Sequence, residues 1–171
     1  MSGHAGIPLV SLDVRFAAAP PQGMVTPLCQ SMSEAYRSLL ADSDAAARLR
    51  LTAHELLENI VKYSALGGCA FHFRLERDGA LLRAIVETRN VPAPDRRQDA
   101  EQRLAALSAA EDPLEHYDSI IADSARQPAG SGLGLARIHA ETEYRLSHRF
   151  EGDVLMIRAS GEVWQKTGGS P

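Results

Sequence analysis

Three side chains of complementary chemistry, Glu55, Asn59 and Lys62, are spaced i, i+4 and i+7. On a helix that spacing puts a carboxylate, an amide oxygen and an ammonium on one stripe. A phosphate-bound Mg²⁺ accepts hard oxygen ligands, an ammonium holds phosphate oxygens, and a carboxylate orients or deprotonates an attacking hydroxyl. Those are the parts of phosphoryl transfer. The same stripe also suits the solvated face of an amphipathic helix, and Glu58 with Lys62 makes an ordinary i, i+4 ion pair.

A second candidate lies far along the chain, in Gly130-Ser131-Gly132-Leu133-Gly134-Leu135. Glycines at alternate positions just before a helix let the backbone approach a ligand closely and aim N–H groups at an anion. The preceding residues, Ala122 to Ala129, are not the hydrophobic strand of a dinucleotide-binding turn, and the Gly-Lys-Ser/Thr of a P-loop is missing. Alone, the run equally serves as a turn leading into a helix. The histidines His4, His54, His72, His116, His139 and His148 have no metal-ligand spacing, and Ser64, Ser124 and Ser131 lack an adjacent His-Asp pattern.

The elements that must position these groups follow from periodicity. Leu9 to Phe16 alternates as a strand, and a Pro-Pro-Gln-Gly turn precedes a helix over Met24 to Leu40. Ser43 or Asp44 is expected to cap the next helix, Ala45 to Tyr63, whose apolar face is Leu49, Ala53, Leu56, Leu57 and Ile60. Cys69 to Arg77 and Leu81 to Thr88 read as a hairpin closed at Arg77-Asp78-Gly79, with Asn90 to Asp95 breaking the sheet. A long polar excursion, Arg96 to Ala129, holds a helical patch at Ala100 to Leu107 and a weaker one at Leu114 to Ile121. A helix over Ala136 to Tyr144 and a hairpin of Arg145 to Phe150 with Val154 to Ala159 complete the pattern. The expected architecture is α+β: a two-layer sandwich with one mixed sheet covered on one face by helices.

At 171 residues the chain suits one domain over 1–165, with a disordered tail at 166–171. Aromatics are 5% against 44% hydrophobic residues, so the core must be aliphatic. A net charge of -4 with scattered basic residues argues against nucleic acid or an anionic membrane as the main partner. The charge-free stretch Phe16 to Ser33 carries Pro20, Pro21 and Pro27, which excludes a spanning helix. With no signal peptide pattern, Cys29 and Cys69 read as buried thiols in a cytoplasmic, reduced setting.

Taken in order, the two candidates with a hairpin and a polar excursion between them resemble the GHKL (histidine-kinase-like) ATPase superfamily. Its N box carries Glu and Asn four apart, here His54-Glu55-Leu56-Leu57-Glu58-Asn59-Ile60-Val61-Lys62-Tyr63. Its second glycine box, Gly-x-Gly-Leu-Gly-Leu, matches Gly130 to Leu135 without departure. The resemblance implies a Bergerat-type ATP-binding fold with a mostly antiparallel sheet, and ATP and Mg²⁺ as cofactors. It makes Glu55 the general base, Asn59 the Mg²⁺ ligand, Lys62 and Tyr63 nucleotide contacts, and Gly130, Ser131, Gly132, Leu133, Gly134 and Leu135 the phosphate cradle. Residues 92–129 would be the ATP lid.

One departure stands out. The family's first glycine box, Asp-x-Gly-x-Gly, supplies the Asp that binds the adenine amino group, and Asn90 stands there with no glycine after it. An Asn oxygen accepts one hydrogen bond without the carboxylate's charge.

An N box beginning near residue 54 leaves no room before it for a histidine-phosphotransfer hairpin. The build is more like the single-domain anti-sigma-factor serine kinases of bacterial partner switching. That implies a serine/threonine kinase acting on a STAS-domain antagonist, a second regulator such as a sigma-like factor or response regulator, and a homodimer by analogy. The alternative, raised by Asn90, is a noncatalytic partner-binding regulator with a degenerate or switch-only nucleotide site.

Overall fold

The structure is a computed structural model that describes residues 6–40, 42–65, 67–124 and 133–164. The elements run β1 (Ile7–Phe16), α1 (Val25–Leu40), α2 (Ser43–Tyr63), β2 (Cys69–Asp78), β3 (Leu81–Asn90), α3 (Arg97–Ala109), α4 (Pro113–Ser124), α5 (Leu133–Glu141), β4 (Arg145–Glu151) and β5 (Val154–Trp164). Short 3₁₀ turns at Gln22–Met24 and Pro94–Arg96 lead into α1 and α3.

The strands form one five-stranded sheet in the order β1-β2-β3-β5-β4. Every pairing is antiparallel, so the sheet expected as mixed and mostly antiparallel is antiparallel throughout. Both hairpins close on two-residue loops whose first residue is a glycine with positive φ, 61° at Gly79 and 59° at Gly152. A side chain there would be strained, and that handedness matches the twist of the strands.

Alternation sorts the strands into two faces. Phe71, Phe73 and Leu75 of β2, Leu82, Ala84 and Val86 of β3, and Leu155, Ile157 and Ala159 of β5 point to the helices. They meet Val25, Cys29, Met32 and Tyr36 of α1 and Leu49, Ala53, Leu56, Leu57 and Ile60 of α2. The opposite face is polar, crossed by the row Asp13, His72, Glu87, Arg158. On it Met156 is buried, with Arg149 Nε donating to its sulfur at 3.3 Å. This is the expected two-layer α+β sandwich.

Several boundaries differ from the sequence expectation for physical reasons. Asp42, rather than Ser43 or Asp44, caps α2, accepting from Asp44 N at 3.0 Å and Ala45 N at 2.9 Å. Asn90 does not break the sheet: it is the last residue of β3, paired with Leu155. The helix expected over Ala136 to Tyr144 starts at Leu133 and ends at Glu141. There Thr142 Oγ1 donates to Ile138 O at 2.6 Å and accepts from Tyr144 N at 3.3 Å, and Glu143 turns left-handed, φ 59°.

The polar excursion is largely helical. Leu104 and Leu107 bury one side of α3, and Arg97 pins its start to the β4–β5 turn. Its Nη1 donates to Gly152 O at 2.9 Å and Asp153 Oδ1 at 3.0 Å, and its guanidinium lies 4.5 Å from the centre of the Phe150 ring. The helix α4 packs on α5. The expected tail at 166–171, residues 125–129 of the expected lid, and Gly130, Ser131 and Gly132 lie outside the described residues.

Candidate functional site

Burial of the apolar stripe of α2 fixes the helix's rotation, and so decides where its polar residues face. Glu55 faces α5. Its side chain is 16% exposed, and Arg137 Nη1 stands 3.5 Å from its Oε1. The same arginine donates from Nε to the Glu141 carboxylate at 3.2 and 3.1 Å.

The backbone of α5 comes in close at this point. A Cβ on Gly134 would stand 3.3 Å from Glu55 Cδ and would run into a carboxylate oxygen. A residue without a side chain is therefore what lets the first turn of α5 seat against Glu55. Tyr117 of α4 feels the same charges: burial first, then the Glu141 and Glu55 carboxylates, push its phenol up, with Arg137 opposing.

One turn along α2, Asn59 Nδ2 is enclosed and has no hydrogen-bond partner among the described residues. Leaving a buried amide donor unmet costs about 1–3 kcal/mol, which a ligand carrying oxygens would recover. Its Oδ1 is the hard oxygen that Mg²⁺ accepts. On this observation the residues present fit a magnesium-bound polyphosphate.

Lys62 is engaged differently. Its ammonium lies 2.9 Å from Glu58 Oε2, and the side chain is 58% exposed. Glu58 is the buried member of the pair and also accepts from Gln22 Nε2. The Lys62 hydrogen bond holds the Glu58 carboxyl below the ordinary glutamate range against the opposing effect of burial, with Gln22 adding to the lowering. The i, i+4 pair anticipated from the sequence thus gives the ammonium Glu58 as its direct partner, while the Glu55 carboxylate adds to holding it protonated.

The end of α2 is tied to the end of β3. Ala65 N donates to Val91 O at 3.0 Å, and Ser64 bridges to Pro92. Tyr63 is thereby brought to the exit of β3, where Asn90 and Thr88 lie buried on the helix-covered face. Leu133, Gly134 and Leu135 form the first turn of α5. Leu135 lines a cavity of about 200 Å³ on another side of α5, shared with Leu104, Leu107, His139, Leu146 and Ile157.

Of the residues singled out in the sequence, the structure brings Glu55 and Gly134 together, leaves Asn59 Nδ2 enclosed one turn further along α2, ties Tyr63 to the Asn90 end of the sheet, and turns Lys62 to Glu58. Arg137 and Tyr117 were not singled out. The Arg137–Glu141 spacing is legible in the sequence, but the contact of Arg137 with Glu55 crosses 82 residues and follows only from helix packing.

No family model matches the sequence, and comparison with curated proteins finds no match. Among solved structures, the chain is similar to one in the crystal structure of the SiaB–SiaC complex from Pseudomonas aeruginosa. The likeness has a TM-score of 0.58 and 14% identity, and covers 91% of both chains. At that identity it establishes a shared α+β sandwich fold. No helix among the described residues is long and apolar enough to cross a membrane.

Proposed function

We propose that this protein is a cytoplasmic ATP- and Mg²⁺-dependent regulator of the partner-switching kind, a serine/threonine kinase acting on a STAS-domain antagonist. The observation that carries the reading is the meeting of Glu55, one turn before the unpartnered Asn59 on α2, with Gly134 at the start of α5. The helix with a carboxylate and an amide four apart and the helix whose first turn holds Gly134 meet at Glu55. The likeness to a chain crystallised in a complex with another protein supports a protein partner.

Bound ATP would supply the phosphoryl group and Mg²⁺ its charge neutralisation. Asn59 would hold the metal through Oδ1, and Lys62 and Tyr63 would meet the nucleotide. Residues Gly130 to Leu135 would offer backbone N–H groups to phosphate. Asn90 would accept from the adenine amino group. Glu55 would take the proton of the attacking serine or threonine hydroxyl. Residues 92–129 would cover the site as a lid, with α4 on α5.

Incubating the protein with labelled ATP and its cognate STAS protein is expected to label that protein. Glu55→Gln is expected to abolish labelling without weakening nucleotide binding; undiminished transfer would exclude Glu55 as base. A second reading, a noncatalytic regulator, is favoured by Asn90 in place of Asp. It predicts binding of the partner with no transfer, and calorimetric titration with Mg²⁺-ATP separates a nucleotide switch from a nucleotide-free scaffold.

A further inference from the structure

Among the described residues, the cation paired with Glu55 is Arg137, whereas Lys62 is held by Glu58. A carboxylate that is to accept a proton works against a guanidinium bound to it, and phosphoryl transfer needs cations on the phosphate oxygens. Both demands point to the same side chain. Arg137 lies one turn beyond Gly134 on α5, at the helix end where phosphate would lie. Its Nε is anchored on Glu141 at 3.1 Å, while its Nη1 contact to Glu55 is long at 3.5 Å. The side chain is 42% exposed, so its far end can turn without unpacking the helix.

We propose that Arg137 exchanges partners. In the ligand-free protein its guanidinium holds Glu55; when the terminal phosphate of a nucleoside triphosphate occupies the site, it passes to the phosphate oxygens and releases Glu55. No bond is made or broken, and Glu141 keeps the arginine stem in place throughout. The planar fork of guanidinium matches phosphate as well as carboxylate, and the more highly charged phosphate wins the exchange. This rests on the reading of the α2–α5 junction as a nucleotide site.

The test is calorimetric titration of the full chain with Mg²⁺-ATP and Mg²⁺-ADP. Arg137→Gln is expected to weaken ATP about tenfold, as loss of a charge-assisted phosphate contact does, and to leave ADP nearly unchanged. Arg137→Lys is expected to recover part of the loss. Glu55→Gln, which frees the guanidinium beforehand, is expected to tighten ATP, and that gain is expected to vanish when Arg137→Gln is added. A merely structural arginine would change ATP and ADP alike. Equal ATP affinity in wild type and Arg137→Gln, or a Glu55→Gln gain that survives the double substitution, would overturn the exchange. Should Arg137→Gln fail to fold, the Glu55→Gln and Arg137→Lys titrations carry the test. A wild type that takes up neither nucleotide would overturn the site reading itself, before any variant is compared.

Discussion

Glu58 is the buried carboxylate of α2, and its two partners set its titration. The hydrogen bond from Lys62 holds its folded value below the ordinary 4.5, despite opposing burial, and Gln22 adds to the effect. A depressed carboxylate contributes stability that is full above its unfolded value and is lost as pH falls through the folded one. Thermal melts of Glu58→Gln are therefore expected to show a shallower loss of stability below about pH 4.5 than wild type, with a cost of about 1 kcal/mol at pH 7. Cys29 behaves oppositely: burial pushes its thiol up to about 12. The thiolate is the reactive form. Iodoacetamide at pH 8 is expected to leave Cys29 unmodified in the native protein and to label it in urea, as read by mass spectrometry. The Glu58–Lys62 pair was legible from i, i+4 spacing alone. The Gln22 contact was not, because it depends on how the turn before α1 lies against α2.

At the scale of elements, hairpins and the apolar face of α2 could be read from the sequence because alternation, glycine turns and helical spacing are local signals. The course of residues 92–124 could not, because the polarity of α3 and α4 hides what anchors them. A buried Leu104–Leu107 pair and the Arg97 clamp on Gly152, Asp153 and Phe150 fix α3 to the sheet. Arg97→Ala removes the clamp without touching the core. Amide exchange is expected to rise throughout α3 by up to about tenfold, as loss of about 1 kcal/mol of exposed hydrogen bonding and ion pairing implies, while β2 and β3 stay protected. Unchanged protection in α3 would mean that the two leucines alone hold it. The same reasoning explains why the candidate site was half legible: Glu55, Asn59 and Gly134 sit in recognisable runs, whereas Arg137 and Tyr117 come to them only through packing of α5 on α2 and α4.

For the whole molecule, β3 and β5 are the strands through which one half of the sheet meets the other. Gly161 lies on that pairing opposite Ala84, and the buried Tyr144 ring fills the space where its side chain would be. A Cβ at Gly161 would come within 2.6 Å of the ring. Gly161→Ala is expected to cost about 1–3 kcal/mol, read from urea unfolding, by forcing the ring aside. Trimming the ring with Tyr144→Leu in the same chain is expected to return part of the loss relative to Tyr144→Leu alone. Additive effects would place the strain elsewhere.

That pairing also decides when the candidate site can exist. Each hairpin can zip locally, but β3 and β5 are separated by the whole stretch from Asn90 to Val154, and closing so long a loop is entropically slow. Glu55 belongs to the half that precedes the loop, and Arg137 lies within it. The junction between the two helices is therefore itself a long-range contact, made only after α5 has joined the chain, and binding that depends on it reports that the two halves have come together.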